Sequence, residues 1–209
     1  MVGYASNTGT RRNLEALRLA SWRVLLTPDN PTPRPGLKHS IDNGAWAAFK
    51  QNRPFDGCSF MNLVKACGST ADFVVVPDVV EGGLESLRFS CSWLPHLSKT
   101  LHLLLPVQDG MEIAAVSGVL DCWPGLGIFL GGSTEWKLKT MYAWGIVASA
   151  MGRYYHVGRV NTARRIRLCA EAGADSFDGT SATMYSCTLP LLEAARIQPS
   201  LLTPDRANI

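Results

Sequence analysis

Asp42, Asp78, Gln108 and Asp178 invite a chemical reading because each stands directly after a short apolar or β-rich run. Asp42 closes SID, Asp78 follows VVVP, Gln108 follows LLLPV and Asp178 follows DSF. Gly131 and Gly132 follow IFL in the same way, and Gly158 follows YYHV. Three carboxylates and an amide at one place can bind a metal ion, perform acid and base chemistry, or hold a heterocycle by its hydrogen-bonding edge. The lack of a nearby histidine pair weighs against metal, and no metal site is expected. A lone aspartate ending a strand is more often the N-cap of the next helix. Several at successive strand ends are harder to explain as caps alone.

The segment Gly131-Gly132-Ser133 precedes a helix opening near Glu135, so its backbone N–H groups can face an anion or a carbonyl oxygen. Ser133 or Thr134 as a simple N-cap, with Glu135 in the first turn, accounts for the same residues. His156 lies inside an apolar strand without a partner at metal spacing, which makes it a packed or base-facing residue rather than a ligand. Arg153, Arg159, Arg164, Arg165 and Arg167 crowd one stretch, and Arg164 and Arg167 share a helix face. Phosphate binding and a solvated face explain that cluster equally well.

Elements to carry these residues are legible as β-rich runs alternating with helical segments. The strands are expected at 2–5, 23–26, 40–42, 73–77, 101–107, 127–130, 154–157 and 174–177. Helices are expected at 11–20, 45–50, 60–67, 84–97, 111–120, 135–151, 162–172 and 188–197. That order predicts an α/β fold, a compact (β/α)8 TIM-like barrel, with a doubly wound open sheet as the alternative. In such a barrel the C-terminal strand ends share one mouth, and the conspicuous polar residues fall at those ends. The segment 27–36, TPDNPTPRPG, holds four prolines and reads as a stiff extended loop.

Composition sets the outer bounds. The chain has 209 residues, 46% of them hydrophobic, which suffices for one sizeable core: a single barrel domain over 1–198 and a surface tail over 199–209. No apolar run approaches the ~20 residues of a membrane-spanning helix. The first residues lack the order of a secretory signal and read as part of the fold, so the expected compartment is the cytoplasm, a host's if the chain is phage-encoded. Six cysteines without a CxxC or CxC pair argue against a disulfide framework or a zinc cluster. A net charge of +3 is too small to require a polyanionic partner.

IDNGAW (41–46), VPD (76–78), PVQDG (106–110), LGGSTEW (130–136), YYHVGR (154–159) and GADSFDGT (173–180) occur in an order and spacing that resembles the tRNA-guanine transglycosylase superfamily. In size the chain looks most like the small phage-type enzymes that place 7-deazaguanines, such as preQ0, in DNA. The resemblance implies Asp178 as the nucleophile, with Asp175 as a structural partner and Asp42 as the acid and base. It implies stacking of the base on Trp46 and reading of its amidine edge by Asp78. Gln108 and the Gly132 N–H would then address O6, Glu135 would brace the Gly-Gly peptide, and Ser133 would meet the 7-substituent. The family's D-x-G-G-aromatic motif is altered here, since Ala45 replaces the second glycine.

The tRNA enzymes carry a C-x-C-x-x-C zinc site with a distant histidine, whereas only Cys187 and no histidine follow Asp178. With no room for an added RNA-binding domain, DNA is favoured over tRNA as the polymer, without a cofactor. The arginine cluster would hold phosphates and the 27–36 loop would cover a flipped base. A metabolic barrel enzyme binding a small phosphorylated substrate through Gly131 to Ser133 and the 158–162 loop is the main alternative. A non-catalytic nucleic-acid-binding barrel is the third.

Overall fold

A computed structural model describes residues 1–97, 99–185 and 187–198. The expected tail at 199–209 lies outside the described residues. Eight parallel strands close into a barrel in chain order: β1 (Val2–Ser6), β2 (Arg23–Leu26), β3 (His39–Ile41), β4 (Val74–Val75), β5 (Leu103–Val107), β6 (Gly127–Leu130), β7 (Tyr155–Val157) and β8 (Ser176–Gly179). The ring is sealed by β1 against β8, with Tyr4 opposite Asp178 and Ala5 opposite Gly179. The open-sheet alternative is thereby excluded.

Helices cover the outside: α1 (Arg11–Leu19), α2 (Ala45–Lys50), α3 (Gly57–Cys67), α4 (Gly83–Trp93), α5 (Ile113–Cys122), α6 (Thr134–Ala150), α7 (Ala163–Glu171), α8 (Ser181–Met184) and α9 (Leu189–Ile197). No helix among the described residues is long and apolar enough to cross a membrane.

Alternation along the strands sends one set of side chains inward and the other toward the helices. Tyr4, Leu25, Phe73, Val75 and Leu104 form the inner cluster, with Phe129 and Tyr154 against it. A larger cluster, including Val24, Leu26, Ile41, Leu105 and Phe177, packs under the helices. Near the entry ends of the strands, Asp72 takes a hydrogen bond from the Tyr4 hydroxyl and pairs with Arg23, each at 3.0 Å.

The last helix fastens the seam. Glu193 on α9 accepts from the indole N–H of buried Trp22 at 2.6 Å, and Arg196 donates to the carbonyls of Met1 and Ala20. Trp22 in turn meets Phe177 edge to face at 5.4 Å. Glu193→Ala strands the indole N–H in a buried position, a loss of about 1–3 kcal/mol. The expected result is a fall in melting temperature of roughly 2–4 °C per kcal/mol for a chain of this size, read by thermal denaturation.

Candidate active site

Strand ends bring Asp42, Asp78, Gln108, Gly131, Gly132, Gly158 and Asp178 to the C-terminal mouth of the barrel, as the sequence pattern requires. Asp178 is in β8 itself, in inward phase with Ser176. Its Oδ1 lies 3.0 Å from His156 Nε2 and 3.3 Å from the Arg159 backbone N–H. His156, 0% exposed, is held at Nδ1 by the Ser176 hydroxyl at 2.7 Å and stacks on Phe129 at 4.9 Å. The imidazole is therefore a fixed support for Asp178 from inside the barrel. A side chain at Gly158 would strike Phe129 at 2.7 Å, so the tight approach of β7 to this support depends on glycine.

Asp42 follows β3, its N–H tied to Leu26 O and its Oδ1 accepting from Gly44 N–H at 2.6 Å. Withdrawal from water pushes its pKa up to about 7, against the Gly44 N–H. The carboxylates of Asp178 and Asp78 push in the same direction as burial, and Arg159 opposes them. Gly44 has φ +81°, and a Cβ there would meet Pro28 Cδ at 2.9 Å. The altered motif position, Ala45, is the first residue of α2, where a helical backbone suits alanine.

Asp78 is raised to about 6, chiefly by burial. Asn43 Nδ2 donates to its Oδ1 at 2.8 Å and Gln108 Nε2 to its Oδ2 at 3.2 Å. Gln108 Nε2 also reaches Val79 O at 2.9 Å and the Ser86 hydroxyl at 2.7 Å. Gln108 thus holds Asp78 in place and has no spare amide donor for a base oxygen in this arrangement. Asn43 and Ser86 were passed over by sequence reasoning. Their signals were present: Asn43 is inside the aspartate motif, and Ser86 and Ser90 occupy one face of α4 at a spacing of four.

The Gly-Gly turn departs most from expectation. Glu135 does not brace it; its side chain is 79% exposed and pairs with Lys139 one turn along α6 at 2.7 Å. Asp109 does that work, accepting from Ser133 N–H and hydroxyl, each at 2.6 Å. Burial opposes the Asp109 anion, but these two donors win and hold its carboxyl below the ordinary range. The Ser133 hydroxyl also caps α6 through Trp136 N–H, so Ser133 is occupied as a cap. The Gly132 N–H has no acceptor among the described residues. Asp109→Ala removes both Ser133 bonds and is expected to cost about 1.5–3 kcal/mol. Differential scanning calorimetry reads the loss.

Of the arginines, Arg159 enters the mouth. It donates to Gly132 O, and its Cζ sits 4.0 Å from the centroid of the Trp46 ring. Trp46 is 41% exposed and stacks on Phe49 as well. Arg153 lies at the entry end of β7, bound to Leu120 O at 3.0 Å, away from the mouth. Arg164 and Arg165 start α7 beside the mouth, where Thr162 caps the helix. Lys137, buried on α6, donates to Gly158 O, and burial lowers its pKa to about 8. Asp175 is a structural clip, accepting from Tyr155 N–H at 2.8 Å.

The 27–36 loop is fastened to the turn after β1 by Asn7, which binds Asn30 and Thr32 O and accepts from Arg34. Among the described residues no group of three or more His, Cys, Asp or Glu side chains is arranged to hold a metal ion. No family model matches the chain, and no curated protein matches it.

Proposed function

We propose that the mouth exchanges a nucleobase in nucleic acid, replacing guanine by a 7-deazaguanine such as preQ0, with DNA as the polymer. The observation that carries this reading is the pairing of two unlike carboxylates. Asp178 is propped by His156, whereas Asp42 has a pKa of about 7 and is available as both acid and base.

In the first half-reaction an Asp178 oxygen forms a bond to C1′ as the bond from C1′ to guanine N9 breaks. The electron pair leaves with the base, and protonated Asp42 donates its proton to it. In the second half, ionised Asp42 takes the N9 proton of the incoming base, whose nitrogen attacks C1′ and expels the Asp178 carboxylate. Asp78 has two lone pairs committed to Asn43 and Gln108, leaving others for the N1–H and 2-amino group of guanine. The Gly132 N–H suits O6.

A base inside a duplex must leave the stack to reach this mouth, at a cost of roughly a few kcal/mol. Arg164 and Arg165 at the start of α7 suit the flanking phosphates. Asp109 takes both the N–H and the hydroxyl of Ser133, which weighs against the Gly131 to Ser133 turn as the site of a small phosphorylated substrate.

Incubation with duplex DNA and labelled 7-cyano-7-deazaguanine, followed by nucleoside mass analysis, tests the reading. Incorporation into DNA and not into tRNA run in parallel supports it. Incorporation into tRNA alone reassigns the polymer, and none into either removes the proposal.

A further inference from the structure

Arg159 is placed where no arm of the proposed chemistry needs a cation. Its planar guanidinium lies over Trp46, donates to Gly132 O and is surrounded by the charges of Asp178, Asp109, Asp42 and Asp78. An aromatic face suits the ring face of guanine, a backbone acceptor and carboxylates suit its amidine edge, and a guanidinium presents the same flat N–C–N array of donors. Its backbone is left-handed at φ +56°, a conformation that residues with a Cβ seldom adopt. From this bend between β7 and α7 the side chain reaches the Gly132 carbonyl and the Trp46 ring.

We infer that Arg159 is a built-in competitor for the base site: its guanidinium occupies the guanine subsite and must swing out before a base can stack on Trp46. The inference rests on the base-exchange reading of this mouth. It adds a specificity filter to it. Only a ligand that replaces both the stacking and the donor array displaces the arginine, so adenine, lacking the amidine donors, is rejected before any chemistry. A protein whose competent state is partly populated binds with an affinity reduced by that fraction.

Calorimetric titration of the full chain with free guanine, in wild type, Arg159→Ala and Arg159→Lys, tests this. Arg159→Ala is expected to bind guanine at least roughly tenfold more tightly, and millimolar guanidinium ion is expected to compete with guanine in that variant alone. Lysine retains charge without the planar fork, so Arg159→Lys is expected to bind more tightly than wild type. Equal or weaker guanine binding by folded Arg159→Ala overturns the inference and leaves the base site standing. Should the alanine variant fail to fold, Arg159→Lys decides, and wild-type affinity there overturns the inference. No guanine binding by any of the three removes the base site and the inference together.

Discussion

Asp178→Asn is expected to abolish base exchange, with a fall of at least about 10³-fold in turnover and no covalent enzyme–DNA species on denaturing gels. The amide is isosteric and can still accept from the imidazole that supports Asp178 at 3.0 Å, so the barrel and the base subsite are expected to persist. Loss of turnover with retained guanine binding therefore separates attack at C1′ from recognition. Equal incorporation by wild type and variant removes Asp178 as nucleophile. His156 is sealed inside the barrel between Phe129 and Ser176 and touches Asp178, so its part in the proposed reaction is positional.

Asp42→Asn is expected to lower turnover by about 10²–10⁴-fold, the usual contribution of a positioned acid and base. It also has a signature in stability. The folded pKa of Asp42, about 7, lies above that of an unfolded chain, so ionising it disfavours the native state. That penalty is absent below about pH 4, grows as pH rises towards the folded pKa, and levels off above it. Asp78, raised to about 6, slopes the same way. Asparagine can keep the acceptor for Gly44 N–H while removing the charge. The variant is therefore expected to melt roughly 3–10 °C above wild type at pH 8 and level with it at pH 4. Equal melting temperatures at pH 8 would show that Asp42 is not held near neutrality. A gain in stability with a loss of turnover marks a group whose placement serves reaction over folding.

The barrel was legible because each strand is a compact β-rich run followed by a change to polar or glycine residues, and most element boundaries fall within a few residues of expectation. The four-residue α8 escaped notice, being too short to show a helical period. At the mouth, strand-end placement picked out Asp42, Asp78, Gln108 and Asp178, because phase along a strand is a property of sequence. What each side chain touches across the mouth is not.

Glu135 and Asp109 show the difference. Glu135 is close to the glycines along the chain, but the turn of α6 carries its side chain to Lys139 and solvent. Asp109 arrives from β5 and takes the bracing role. Likewise Arg153 and Arg159 look like one cluster in sequence. They stand at opposite ends of β7, and six residues of extended chain span ~20 Å. Lys137 was overlooked because lysines are rarely buried, and only the closure of the β7 turn over α6 gives it the Gly158 carbonyl.

The seal between β1 and β8 joins residues 2–5 to residues 176–179. Asp178 stands on that join, opposite Tyr4. Contacts of such long sequence separation form late and slowly, after the entropy of a long loop has been overcome. During synthesis the ribosome delivers Asp42 and Asp78 well before β8, the strand that bears Asp178. If the proposed exchange is right, the growing chain carries its proton-handling and base-reading residues before it carries its nucleophile, which arrives on the strand that closes the ring.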